Sequence, residues 1–238
     1  METDGLPGTE VGSLLDTLKK LAGNYARVKP HDYTGTLNLE LEGQFFTIVM
    51  EKETVSLAEG RSEKAMAELL LSQETFSKLM DGTWNGMTAA GREDIRQSAP
   101  LDFRFLPGHT LTGQLLQMLY HLGMHFFQQG YPSVFRFGPG HTRLVHGGHA
   151  APLAYGHGVR FAYYTISGDE RINDDNAADP FDQVITVIGG EGVAVIDGVE
   201  VALERGLAVH VPPKTSHMIR ATGSERLELL WVAYGSGA

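Results

Sequence analysis

The sequence predicts two domains: an α+β N-terminal domain, in which helices cover a sheet, and an all-β C-terminal domain that folds as a jelly-roll barrel. The first observation is length, because 238 residues suit two domains of about 100 to 150 residues each. The second is that helical and strand-like apolar patterns alternate in the first half. The third is that the second half contains about nine short β-like runs, separated by glycine and proline, in roughly 105 residues.

The elements of the first half follow from spacing and end signals. Residues 12–28 predict a helix, because their leucines recur at intervals of three and four. Residues 43–60 predict two strands joined by a charged turn, and the run "MAELLL" at 66–71 predicts a third. Ser72 is a good N-cap for the helix that follows, and Gly82 ends that helix.

A long helix is predicted from about residue 111 to 129. Its near-continuous apolarity is interrupted by a polar stripe that includes His121 and His125, and hydrocarbon would not tolerate that stripe. We therefore expect no membrane span, and we expect both histidines to be solvated. The helix should connect the domains, with one apolar face buried: Leu115, Met118, Leu119, Leu122 and Phe126.

The C-terminal strands begin after Gly130. This gives an N-terminal domain over 1–106, a connecting amphipathic helix over 107–131 and a C-terminal domain over 132–238. The predicted strands are "SVFRF", "TRLVH", "GVRFAYYTI", "QVITVI", "GVAVID", "VEVAL", "LAVHV", "HMIRA" and "ELLWVAY".

Composition excludes several classes of protein. The net charge of −10 and the pI near 5.4 argue against nucleic acid as a partner, because phosphates would be repelled. The chain has no cysteine, so a metal would have to be held by histidine, carboxylate or amide groups. The acidic start "METDGLPGTE" lacks the features of a signal peptide, and we expect a cytoplasmic protein.

Several glycines, a proline and a histidine of the C-terminal half form a recognisable pattern. Gly190 and Gly192 close one motif, and Gly206, Pro212 and His217 form a second in order. This pattern resembles the cupin family, whose members are small jelly-roll barrels. The resemblance covers roughly residues 133–238 and implies that the double-proline turn aims His217 into the barrel.

The metal ligands that the cupin resemblance implies are mostly missing. The usual glutamate is replaced by Gln183, and the usual histidine pair falls on Asn176 and Ala178, or on Ala177 and Asp179 in a shorter spacing. One imidazole with amides binds a transition metal poorly, so no cofactor is expected. The alternative is a divalent transition metal held by His217 with Asn176 or Gln183. A carboxylate of a shifted loop could also take part: Asp174, Asp175, Asp179 or Asp182.

His217 is the candidate catalytic residue, and alternatives to that role stay open. In a metal-free barrel it could act as a general base, hydrogen-bond a ligand or be a buried histidine with a purely structural partner. The residues predicted to contact a ligand in this half are Gln183, His217, Tyr163 and His210.

The first half resembles a second family. The runs "LEGQFFTI", "VSLAEG" and "LLLSQETFSKLMDG", followed by Ala89 to Gly91, resemble the sterol carrier protein family over roughly residues 12–105. That resemblance implies a five-stranded sheet with helices around a lipid tunnel. The sequence departs from the family after Gly91. Residues predicted to line the tunnel, or else to fill an ordinary core, are Phe46, Ile48, Trp84 and Met87.

Two functions follow from these features. In the first, the chain is a two-domain binding protein for an apolar small molecule or lipid, with a barrel that lacks the usual metal. In the second, it is a cupin-type enzyme that acts on a hydrophobic small molecule, with His217 as a base or as a remnant metal ligand. A homodimer through the cupin domain is compatible with both.

Overall fold

The computed structural model describes residues 11–94, 96–156, 158–236 and 238. Within these residues, the N-terminal half contains four helices and five strands. The helices are α1 (Val11–Ala26), α2 (Gln73–Met80), α3 (Gly86–Ala90) and α4 (Gly113–His125). The strands are β1 (Gly35–Leu41), β2 (Gln44–Met50), β3 (Val55–Glu59), β4 (Ala67–Leu71) and β5 (Leu101–Phe105).

The five strands form one sheet in the order β3-β2-β1-β4-β5. Neighbouring strands are antiparallel except β1 and β4, which run parallel. The predicted helix, hairpin, third strand and second helix are all present, and Ser72 caps α2 by accepting a hydrogen bond from the Thr75 amide at 3.1 Å. Strand β1 was not predicted, although the alternation of Leu37, Leu39 and Leu41 with Asn38 and Glu40 is typical of a strand.

The helices bury their apolar faces against one face of this sheet. Leu18, Leu21 and Tyr25 of α1 join the same core as the inward residues of β1 and β2. Helix α4 belongs to that core too, since the five residues predicted to be buried, Leu115, Met118, Leu119, Leu122 and Phe126, are all buried in it. The predicted buried face of the long helix is therefore confirmed.

The prediction of solvated histidines on α4 is wrong. His121 contacts the Tyr25 hydroxyl through Nδ1 at 3.2 Å, and its ring lies 4.5 Å from the ring of His125. His125 Nδ1 contacts Ser133 Oγ at 3.0 Å, and burial lowers the pKa of His125. The two histidines are half-buried against α1 and the segment after α4, which the spacing within one helix cannot reveal.

The C-terminal half is a sandwich of two antiparallel sheets. Its strands are β6 (Arg143–Val145), β7 (Gly148–Gly156), β8 (Val159–Ile166), β9 (Arg171–Ile172), β10 (Asp182–Gly189), β11 (Glu191–Ile196), β12 (Val199–Glu204), β13 (Ala208–Val211), β14 (His217–Ala221) and β15 (Leu227–Tyr234). The six-stranded sheet has the order β13-β10-β15-β8-β7-β6, and the four-stranded sheet has the order β12-β11-β14-β9. The predicted all-β antiparallel architecture of this half is confirmed.

The strand predictions differ from the structure at three places. The run "SVFRF" at 133–137 is not a strand, and strands β7 and β9 were missed. Pro152 lies inside β7 and cannot donate to the ladder, and the pairing with β8 shifts register between Pro152 and Ala154. A proline at a bulge looks like a strand breaker in sequence.

Polar contacts join the two halves. Arg143 of β6 donates through one terminal nitrogen to the carbonyl oxygens of Thr88, Ala89 and Gly91 at 2.8 to 3.3 Å. The side-chain amide of Asn85, which also caps α3, donates to the Pro152 carbonyl at 2.6 Å. Within the described residues, none of the helices has the length and apolarity needed to cross a membrane.

Candidate ligand-binding cavity in the C-terminal barrel

A cavity of about 730 Å³ opens between the two sheets of the C-terminal half. Its size lies in the range of small-molecule sites. Side chains alternate along a strand, so every second residue of β10, β14 and β15 faces inward. The apolar part of the lining is Phe181, Ile185, Ile219, Leu229 and Trp231.

Gln183 is held rigidly in the cavity wall. Its side chain is 1% exposed, its Oε1 accepts a hydrogen bond from Trp231 Nε1 at 2.7 Å, and its Nε2 donates to Asp179 Oδ2 at 3.0 Å. A buried amide is stable only when its polar atoms are paired, and these two bonds satisfy most of that requirement. At most one N–H of Gln183 therefore remains for a ligand.

His217 lies in the same cavity at the start of β14, as the turn chemistry predicts. The residue is 5% exposed, and its ring Nδ1 lies 3.3 Å from the Thr215 carbonyl oxygen. A carbonyl only accepts, so this contact places the ring proton on Nδ1 and leaves Nε2 as the acceptor of the neutral ring. Among the described residues, Nε2 has no partner. The strand start is fixed by the Asn173 side chain, which donates to the His217 carbonyl at 2.6 Å.

The side chains present do not fit a transition metal. Gln183 Oε1 already accepts from Trp231, Asn176 is exposed, and Ala178 carries no donor. Over the described ranges, no three His, Asp or Glu side chains lie close enough together to hold a metal ion. A first-row metal needs two or three imidazole or carboxylate ligands close together, and among the described residues His217 belongs to no such group of three.

Two tyrosines and an arginine complete the inner wall. The Tyr164 ring lies edge-on to Trp231, with centroids 6.0 Å apart, and Arg160 lies over the Phe181 ring at 5.3 Å. Burial raises the pKa of Tyr155 to about 12 and also raises the pKa of Tyr164. Both phenols therefore stay protonated at neutral pH and present O–H groups.

Two predicted contact residues lie outside the cavity. Tyr163 faces the opposite side of β8, where its hydroxyl donates to Glu228 at 2.9 Å, and its neighbour Tyr164 lines the cavity instead. A shift of one residue along a strand exchanges the two faces, which explains the difference. His210 lies on the outer surface, with Nε2 2.9 Å from Asp182 Oδ1.

The predicted residues of the N-terminal half are not near the barrel cavity. Phe46 and Ile48 are 1% and 0% exposed and pack in the continuous core of the sheet. Met87 packs against Gly123 of α4, and Trp84 is covered by Lys78, whose ammonium lies 4.3 Å from the ring centroid. Around Phe46 and Ile48 the structure has a filled core, the alternative that the sequence left open.

Sequence reasoning missed Tyr164, Trp231 and Glu93 as lining residues. Gln183 marks the inward face of β10, which pairs with β15, and β15 pairs with β8. With that face fixed, the alternation along β15 and β8 would have placed Trp231 and Tyr164 in the lining. Glu93 belongs to the N-terminal half, and nothing in its local sequence indicates that it reaches the barrel.

The C-terminal half matches a known family. Residues 165–233 match the family described as the cupin domain. That match lies wholly in the C-terminal half, and the resemblance of the N-terminal half to sterol carrier proteins stays a prediction. A comparison with curated proteins gave no match.

Several solved structures are similar to part of the chain. A conserved barrel domain protein of the cupin 2 type from Salinispora arenicola is 13% identical, covers 45% of this chain and 92% of its own, and has a TM-score of 0.39. An RmlC-like cupin from Shewanella frigidimarina is 20% identical, with coverages of 40% and 83% and a TM-score of 0.36. A protein from Photorhabdus luminescens is 9% identical, with coverages of 43% and 88% and a TM-score of 0.39. On the family match, residues 165–233 of this chain form a cupin domain.

Proposed function

We propose that this protein binds a small organic molecule in the cavity of its C-terminal barrel, without a metal ion. The observation that carries the proposal is the pairing of a roughly 730 Å³ cavity with a buried imidazole whose Nε2 has no partner among the described residues. A ligand donor that meets Nε2 would satisfy this acceptor away from water. The apolar wall would supply the remaining affinity.

The state of Gln183 favours binding over catalysis. An enzyme that used His217 as a base would need a hydrogen-bond donor to stabilise the charge that develops on the substrate. Gln183 is the candidate amide for that donor. Its oxygen and one of its N–H groups are committed to Trp231 and Asp179. These bonds fix the shape of the cavity wall, which serves recognition.

The barrel is a better ligand site than the N-terminal sheet. The predicted tunnel residues Phe46 and Ile48 are packed within a continuous core of helix and strand side chains. A ligand there would have to displace close-packed side chains, whereas the barrel offers space. We therefore assign the N-terminal half a scaffolding role in this proposal.

Titration calorimetry with indole, in the presence of EDTA, tests the proposed function. Indole is a neutral probe with an aromatic face and one N–H donor, which match Trp231, Tyr164 and His217. The wild-type protein should bind one equivalent, and the cavity-filling variant Leu229→Trp should bind none. The control is Val199→Trp, which adds the same side chain at a position of β12 that is 63% exposed. Absence of binding to the wild type, or equal binding to Leu229→Trp, would refute the proposal.

A further inference from the structure

The lining of the barrel cavity carries an excess of negative charge. Six carboxylates and two guanidiniums contribute to it, which leaves four net negative charges. The carboxylates are Glu93, Asp169, Glu170, Asp174, Asp175 and Asp179, and the guanidiniums are Arg160 and Arg171. A concave surface lined by one sign of charge concentrates ligands of the opposite sign.

Two of these carboxylates already have a partner. Asp174 lies 3.5 Å from Arg171, and Glu170 contacts His149 at 3.0 Å. Burial raises the pKa of Glu170, but bonds from the Ser167 amide and from His149 outweigh it and hold that pKa below its usual range. Three further carboxylates, Glu93, Asp169 and Asp175, make no ion pair with any residue that the structure describes, and we call them the acidic rim.

The interior of the cavity supplies an independent indication of a ligand. The acceptor Nε2 of His217 belongs to the same lining, on a residue that is 95% buried and whose Nε2 has no hydrogen-bond partner in the described chain. The aromatic faces of Trp231 and Tyr164 lie in the same lining. Aromatic faces also attract cations. A ligand with a flat apolar body, an N–H donor and a positive charge would meet all of these groups.

The N-terminal half contributes to this selection through Glu93. The segment that carries it leaves α3 at Gly91, whose carbonyl oxygen accepts a hydrogen bond from Arg143 of β6 at 2.8 Å. Gly91 also packs closely on Val145, since a Cβ at this glycine would lie 2.7 Å from Val145 Cγ2. These contacts hold the start of the segment against the barrel.

We propose that the ligand is a small aromatic molecule with an alkylamine group that is protonated at neutral pH, with its ring against Trp231 and Tyr164 and its ammonium group toward the acidic rim. This inference rests on the proposed function and specifies its ligand class. Exposed ion pairs contribute little individually, but the summed field of the rim carboxylates favours a cation in the cavity. They also repel an anion of the same shape.

Calorimetry at pH 7.5 and low salt with three probes of one ring system tests the inference: tryptamine as cation, indole as neutral molecule and indole-3-acetate as anion. We expect tryptamine to bind about tenfold or more tightly than indole-3-acetate, with the ratio falling as salt is added. The triple variant Glu93→Gln, Asp169→Asn, Asp175→Asn should reduce this ratio to about twofold or less. The control Glu51→Gln, Glu53→Gln, Glu59→Gln changes net charge equally on the N-terminal hairpin and should keep the wild-type ratio.

Each outcome has one interpretation. If indole binds and indole-3-acetate binds as tightly as tryptamine, or more tightly, the cationic ligand class is refuted while the proposed function stands. If the rim variant and the hairpin control reduce the ratio of tryptamine affinity to indole-3-acetate affinity equally, the cationic ligand class is also refuted. Net charge alone would then explain the preference. If indole does not bind, the proposed function itself fails, whatever the two charged probes do.

Discussion

Replacement of His217 by alanine separates a role in binding from a role in folding. The imidazole is 5% exposed, and its one hydrogen bond within the described chain is the local contact to the Thr215 carbonyl at 3.3 Å. The bond from Asn173 goes to the main-chain oxygen of His217 and survives the substitution. The variant therefore loses a weak local bond and some packing at the edge of an existing cavity.

The expected cost in stability is small. A typical neutral hydrogen bond contributes about 1 kcal/mol net, so the melting temperature should fall by only roughly 2 to 4 °C for a chain of this size. The expected cost in binding is larger. A ligand donor left without Nε2 in a cavity loses about 1 to 3 kcal/mol, which corresponds to a roughly 5- to 140-fold weaker Kd.

The assay compares His217→Ala with His210→Ala by thermal melting and by indole titration. His210 is a matched control, because it is a strand histidine of the same half that pairs with Asp182 on the outer surface. We expect His210→Ala to bind indole like the wild type. If His217→Ala melts much earlier and yet keeps wild-type affinity, His217 serves the fold and the reasoning is refuted.

Three further predictions follow from the contacts. Gln183→Leu should destabilise the protein by about 1 to 3 kcal/mol in urea unfolding, because Trp231 Nε1 loses its acceptor; unchanged stability would show that water replaces the amide. Glu68 is buried, and although burial raises its pKa, hydrogen bonds from Arg61 and Arg104 outweigh that effect and hold the pKa below the ordinary value of 4.5. Because its pKa is lower in the folded state, Glu68 stabilises the fold above its unfolded-state pKa, and this stabilisation is lost on acidification. The free energy of unfolding, measured between pH 7 and 3, should therefore fall below about pH 4.5 in the wild type and fall less in Glu68→Gln. Parallel slopes for the two proteins would contradict this. Protein purified without chelator should carry less than one equivalent of transition metal by elemental analysis, and a stoichiometric metal would overturn the donor-set argument.

The local signals of the sequence predicted most of the elements. An N-cap and a three-and-four spacing of apolar residues both depend on contacts within one or two helical turns. The cap at Ser72 and the buried face of the long helix were therefore predicted correctly. The antiparallel barrel follows from regular turn spacing, which is also a local property. Pro152 in β7 could not be read correctly, because a bulge depends on the partner strand.

The site was predictable only in part, because its geometry is tertiary. Gln183 and His217 were expected to face one cavity, and the structure places both in its lining. Which of Tyr163 and Tyr164 faces inward depends on register, which a strand pattern without its neighbours does not fix. Glu93 belongs to the N-terminal half and lines the cavity because the two halves are in contact. No residue spacing in the sequence indicates that contact.

The side-chain resonances of the two tryptophans offer the most direct test of a metal-free ligand site in the barrel. Trp231 Nε1–H donates to Gln183 in the cavity wall, and Trp84 lies in the N-terminal half under Lys78. In a ¹⁵N-labelled sample with EDTA, titration with indole should shift the Trp231 indole N–H signal in a saturable manner and leave the Trp84 signal in place. A saturable shift of Trp84 alone, or no saturable shift of either signal, would contradict the account.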